Sequence, residues 1–331
     1  MIEVRDLKKE YKLVKRDPGL RGAMKSLFRR TYVTKTAVKG VNFHIKKGEM
    51  IGYIGANGAG KSTTIKMLTG ILTPSSGEVK VGGIVPYKNR KQNAKQIGAV
   101  FGQRTQLFWD IPVSESFDLL KHIYEIPEVQ FKETIRLFTE VLQLEPLLSI
   151  PVRQLSLGQK MRCELAAAFL HRPDVVYLDE PTIGLDVAVK VRIRKFIKEM
   201  NALWGTTVLL TTHDMQDIEE ICNRIIIIDN GSILYDGDLH EIKDTFAAKR
   251  EIHFEVENVQ AFSNPESIQD HVEMRVIDEE QQQKVILAFS QKEIAASEVI
   301  SAVLSENYII DLSLNDPKIE TIVEEIYNRG L

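Results

Sequence analysis

The stretch Gly55-Ala56-Asn57-Gly58-Ala59-Gly60-Lys61-Ser62-Thr63 constrains the fold of this chain more than any other. Two glycines separated by four residues, followed by Lys and Ser, form the phosphate-binding loop pattern. Met50-Ile51-Gly52-Tyr53-Ile54 before it reads as a buried strand, and Thr63 to Leu68 continues as a helix. In that setting the glycines let the backbone curl until several N–H groups face one anion, and the helix N-terminus adds its positive end. Lys61 is expected to reach the outer phosphates and Ser62 to ligate Mg²⁺.

A chain of 331 residues holds a large core and more than one domain. Its net charge of −3 is unremarkable but unevenly spread, with seventeen acidic against seven basic residues from Lys249 onward. Cys163 and Cys222 fall on separate expected helices without metal-ligand spacing, so both read as small buried side chains in a reducing compartment. No signal-peptide pattern opens the sequence, and no apolar run approaches the roughly 20 residues a membrane span needs. The polypeptide is therefore expected in the cytosol, with any membrane role exercised through a partner.

Ile2 to Leu7 alternates like a half-buried strand and leads to Tyr11, and a second strand is expected over Ala37–Ile45. Between them, residues 12–35 carry eight basic residues against Asp17. Leu20, Met24, Leu27 and Phe28 fall at helical spacing there, so a short basic amphipathic helix is expected. It reads either as a solvated charged face or as a contact with anionic lipid or a permease. Further strands are expected over Gly77–Gly83 and over Ile97–Phe101, which delivers Gln103. The stretch from about 104 to 170 turns helical. There, Ser114 to Phe117 is expected to cap a helix running to Tyr124, and a second helix spans Phe131–Leu144.

Strands then return at Val175–Leu178, ending in Asp179-Glu180, and at Val208–Thr212, ending at His213. Asp229-Asn230-Gly231 signals a hairpin. Strands separated by helices imply a mostly parallel sheet with its ligand at the strands' C-terminal ends. From about Ile252 a second series of strands and two helices reads as a small α+β domain, with a ferredoxin-like arrangement as one candidate.

Leu155-Ser156-Leu157-Gly158-Gln159 precedes the Asp179-Glu180 strand, and Gly184-Leu185-Asp186 follows it. With Gln103 and His213, this ordered set resembles the ATP-binding cassette (ABC) ATPases over residues 1–240. The resemblance implies an α/β P-loop fold: a RecA-like core, an antiparallel β subdomain and a helical subdomain at about 104–170. The cassette would occupy residues 1–245 and the α+β domain residues 246–331. It further implies ATP and Mg²⁺ as cofactors and two cassettes paired head to tail, from one chain or from two paralogues.

Each role below is what the resemblance implies. Tyr11 stacks on adenine, the alternative being a tyrosine of the hairpin core. Gly55, Ala56, Asn57, Gly58, Ala59, Gly60, Lys61, Ser62 and Thr63 hold the phosphates. Ser62, Gln103 and Asp179 form the Mg²⁺ shell, and Glu180 is the general base. His213 senses the γ-phosphate, and Lys61 and Gln103 complete the catalytic set. Ser156, Gly158 and Gln159 clamp the γ-phosphate held by the opposite protomer, and Asp186 communicates across the dimer. Leu157 departs from the usual glycine, which puts the turnover rate rather than binding in question.

The signature stretch is similar to ATPases of multidrug and antibiotic exporters with separate permeases. The basic insertion is instead similar to that of cassettes exporting polysaccharide or teichoic acid. A subunit of this kind sits at the cytoplasmic face of the membrane through its permease. Trp109, Phe108 and Ile111 read as a docking loop for that permease or as subdomain core. A permease-free ABC ATPase acting on ribosomes or nucleic acid is the rival reading, and nucleic acid is not expected as a partner.

Overall fold

The computed structural model describes residues 1–15, 31–102, 105–239, 241–242, 250–279, 282–291, 293–315 and 319–329. The chain divides into two compact units, Met1–Asp238 and Leu239–Leu331. Gln103 and the expected helix around Leu20–Phe28 lie outside the described residues.

In the first unit, β1 (Ile2–Lys15) and β2 (Thr31–Ile45) pair antiparallel from Ile2↔Ile45 to Lys15↔Thr31. Both strands run further than their apolar alternation suggests. β4 (Ser76–Val81) covers β1 from Ile2 to Lys8, and beyond Lys8 the hairpin continues as a two-stranded ribbon. The pair Leu13↔Val33 lies on that ribbon, with both side chains about half exposed.

β3 (Met50–Gly55), β5 (Ile97–Phe101), β6 (Val175–Asp179), β7 (Thr207–Thr211), β8 (Arg224–Asp229) and β9 (Ser232–Asp238) form the second sheet, in the order β5-β6-β7-β3-β8-β9. The first five run parallel and β9 turns back antiparallel. Val175–Leu178, Val208–Leu210 and Ile225–Ile228 are fully buried. These continuous apolar runs are what a parallel sheet covered on both faces requires. Asn230 and Gly231 at the β8–β9 turn both have positive φ (46° and 82°), as a two-residue hairpin turn demands.

α1 (Lys61–Leu68) follows β3, and α2 (Arg90–Gln96) precedes β5. The helical stretch comprises α3 (Val113–Ile123), α4 (Glu128–Leu142) and α5 (Leu157–Phe169). Ser114–Phe117 does not cap α3. Pro112 stands at the N-cap without a side-chain bond, and Ser116 is buried with its Oγ accepting from the Phe108 N–H at 3.2 Å. A short hydroxyl that can bond a neighbouring loop is drawn there in preference to its own helix end. α4 starts at Glu128, directly after Pro127, a turn earlier than its apolar spacing suggests. α6 (Val187–Trp204) and α7 (Met215–Ile221) follow β6 and β7. Cys163 and Cys222 are buried and unpaired, with burial pushing the Cys163 thiol up to about 12.

The second unit holds β10 (Arg250–Glu255), β11 (Val272–Glu279), β12 (Gln282–Phe289), α8 (Ala296–Glu306), β13 (Asp311–Asn315) and α9 (Ile319–Arg329). Its antiparallel sheet runs β11-β12-β10-β13. Short 3₁₀ turns at Val259–Ala261 and Gln269–His271 stand between β10 and β11, where a ferredoxin-like unit has its first helix. Val299 and Val303 of α8 join Ile252, Phe254, Leu287 and Phe289 in its core.

Candidate active site

Five parallel strands present their C-terminal ends on one side, and three of those ends, of β3, β6 and β7, carry the expected chemistry. β3 runs into the loop 55–60. Gly60 lies at φ 113°, and a Cβ there would sit 2.6 Å from the Ala37 carbonyl oxygen. An L side chain is excluded twice over, by conformation and by space. The Lys61 ammonium donates to the Gly55 and Ala56 carbonyls at 2.5 and 3.3 Å, which closes the loop on itself. Burial holds this ammonium below the usual lysine range, with Glu180 and Asp179 opposing that shift.

Asp179 ends β6. Its Oδ1 accepts from Thr211 Oγ1 at 2.6 Å and its Oδ2 from Ser62 Oγ at 3.2 Å. One hydroxyl from the loop helix and one carboxylate make a hard oxygen pair. Among the described residues no group of three or more His, Cys, Asp or Glu could hold a metal. This donor set suits a small hard cation that takes its other ligands from water and phosphate.

Glu180 follows at φ 56°, a left-handed conformation costing about 1–2 kcal/mol for a residue with a Cβ. Its N–H donates to the Thr211 carbonyl at 2.9 Å, and its Oε1 lies 2.9 Å from His213 Nε2. A cavity of about 380 Å³ opens beside Ser62, Lys66, Asp179 and Glu180. A second, of about 680 Å³, runs from Lys61, Ser62 and Glu180 along the glycine loop to Tyr11, Leu13 and Lys35. Tyr11 is half-buried and lines that cavity, with Lys9 Nζ 5.4 Å from its ring centroid.

The structure therefore brings together Tyr11, residues 56–63, Asp179, Glu180 and His213. Ser156, Gly158, Gln159 and Asp186 stand at helix starts that line neither cavity. Ser156 caps α5 in a reciprocal box. Its Oγ accepts from the Gln159 N–H at 3.3 Å, and its own N–H donates to Gln159 Oε1 at 2.9 Å. Asp186 caps α6 by accepting from the Val189 N–H at 2.9 Å. Leu157 is half exposed and leans over Gly184.

Several residues of the site escaped the sequence reading. Thr211 reads as a strand former and Asp217 as an acidic residue in a helix first turn, yet each bonds directly into the site's frame. Glu164 is buried in α5 and accepts from Thr105 Oγ1 and from the Gln106 N–H at 3.2 Å.

A family model described as ABC transporter matches residues 38–183. The Nod factor export ATP-binding protein I of Paraburkholderia xenovorans (strain LB400) is 35% identical over 63% of this chain and 68% of its own length. The chain belongs to the ABC transporter ATPase family. This ABC ATPase is also 29% identical to the linearmycin resistance ATP-binding protein LnrL of Bacillus subtilis (strain 168), over 92% of the chain and 97% of that protein. Among solved structures, a dimeric post-hydrolysis cassette bound to ADP and Pi aligns at TM-score 0.60 and 26% identity, over 72% of this chain and 99% of that one. Like its relatives, this ABC ATPase is an ATP-binding and hydrolysing subunit of a transporter, and the family implies paired cassettes and membrane permease partners. No helix among the described residues is long and apolar enough to cross a membrane.

Proposed function

We propose that the chain powers an exporter, binding Mg²⁺ with ATP at the cytoplasmic face of the membrane and hydrolysing it between two cassettes. The observation that supports this most directly is the Glu180–His213 pair at 2.9 Å, beside the Ser62–Asp179 oxygen pair and Lys61. In this reading Tyr11 stacks on adenine, residues 55–63 cradle the phosphates, and Lys61 turns from the loop carbonyls to the outer phosphates. Ser62, Gln103 and Asp179 would hold Mg²⁺, which would supply positive charge to offset that of the phosphates. Glu180 accepts the proton of the attacking water, and His213 holds both that carboxylate and the γ-phosphate in place. Ser156, Gly158 and Gln159 bind the γ-phosphate held by the opposite cassette, and Asp186 signals between the two.

Export is supported by two relatives named for linearmycin resistance and Nod factor export. We assign residues 1–245 to the cassette and 246–331 to the α+β domain. In this reading the basic segment 12–35 contacts the permease or anionic lipid, and the exposed Trp109 docks the permease. Affinity purification from native membranes tests the assignment. A co-purifying integral-membrane permease is expected, and recovery of ribosomal or nucleic-acid-bound proteins without one would overturn it. Glu180→Gln is expected to cut hydrolysis by on the order of 10²-fold or more, measured as phosphate release.

A further inference from the structure

Asp217 lies in the first turn of α7, fully buried, and it contacts neither cavity of the active site. Its Oδ2 accepts from two hydroxyls on different loops, Thr182 Oγ1 and, at 3.2 Å, Thr212 Oγ1. Thr182 stands two residues after Glu180, and Thr212 one residue before His213. Its Oδ1 accepts from Arg194 Nε of α6 at 2.6 Å, and Arg194 continues to Glu220 Oε1 at 2.8 Å. A carboxylate removed from water keeps its charge only when paired and hydrogen-bonded. Arg194 supplies the pairing, which leaves the second oxygen free to gather both threonines.

Past the Glu180 N–H bond to the Thr211 carbonyl, no backbone hydrogen bond among the described residues ties the two loops that leave these adjacent parallel strands. Here one buried oxygen atom adds a side-chain tie to each of them. Glu180 also carries a strained backbone at φ 56°, a conformation that persists where its surroundings over-determine it.

We infer that Asp217 is a positioning residue for hydrolysis: its buried carboxylate ties the loop bearing Glu180 to the residue preceding His213 and so keeps base and sensor in contact. The inference rests on the roles proposed above for Glu180 and His213.

The test uses Thr182→Val and Thr212→Val in the full chain, which remove one tether each and leave the Arg194–Asp217 pair intact. Each is expected to lower kcat about tenfold, with ATP affinity within about twofold and the thermal midpoint lowered but the fold retained. The double variant falls little below the weaker single one, because both hydroxyls act through the same oxygen. Thr182→Ser and Thr212→Ser keep the hydroxyl and keep turnover, and they carry the test if a valine variant does not fold. Unchanged kcat in both valine variants, multiplying losses in the double one, or serine variants as impaired as the valine ones would each overturn the inference. Glu180→Gln runs alongside: full turnover in that variant removes the reading underneath, whereas lost turnover there with intact threonine variants removes this inference alone.

Discussion

His171 shows how far a side chain's surroundings set its chemistry. His171 closes α5, stacks on Tyr124 with ring centroids 4.0 Å apart, and bonds the Ile97 carbonyl through Nε2 at 3.0 Å. Burial drives its pKa down to about 4, so the folded protein holds it neutral while an unfolded chain begins to charge it below about pH 6.5. The unfolded state then binds the extra proton, and stability falls as pH drops from about 6.5 toward 4. The full effect is on the order of 3 kcal/mol. Urea unfolding of wild type and His171→Gln across that range should show the loss in wild type alone. At the same scale, Gly60→Ala should abolish ATP binding, measured by equilibrium titration, because the new methyl meets the Ala37 carbonyl at 2.6 Å.

Among the elements, α5 does two tasks at once. Its start is the Ser156–Gln159 box, and about 12 Å along its axis Glu164 grips Thr105 and Gln106. Lys160, one turn earlier, places its ammonium 5.2 Å from the Trp109 ring centroid. Glu164→Ala strands the Thr105 hydroxyl and the Gln106 N–H without their acceptor, and a loss of about 1–3 kcal/mol is expected in chemical denaturation. The two ends of this helix were unequally legible. The phosphate loop and the Ser156 stretch could be read because their chemistry lies within nine consecutive residues. Glu164 meets partners 58 and 59 residues away, and Asp217 meets Arg194 at a separation of 23 and Thr182 at 35. No local pattern encodes such pairs. The buried strands were legible from their apolar runs, whereas the β1–β2 ribbon was not. Lys12 and Lys35 look like loop residues until cross-strand pairing supplies their backbone partners.

For the molecule as a whole, the cassette folds with Ser156, Gly158, Gln159 and Asp186 lining neither of its own cavities. Ser156 and Asp186 cap helices inside one chain, and in the function proposed above they complete a site only when a second cassette arrives. Glu180→Gln with ATP is therefore expected to form a stable dimer by light scattering, and wild type without nucleotide a monomer. Ser156→Ala in the same background should weaken that dimer while a single cassette binds ATP as before, measured by titration below the dimerisation concentration.

The capping box has a last consequence for what such a dimer recognises. With its oxygen already accepting from the Gln159 N–H, the Ser156 hydroxyl offers the outside world a proton. If Ser156 clamps a phosphate as proposed above, it does so as a donor that takes an oxygen acceptor and is indifferent to what that oxygen is attached to. Any ionised tetrahedral oxyanion of the right size would satisfy it. In the proposed reading, discrimination between adenine and other bases falls to the far end of the cavity, where Tyr11 and Leu13 line the wall of the ribbon.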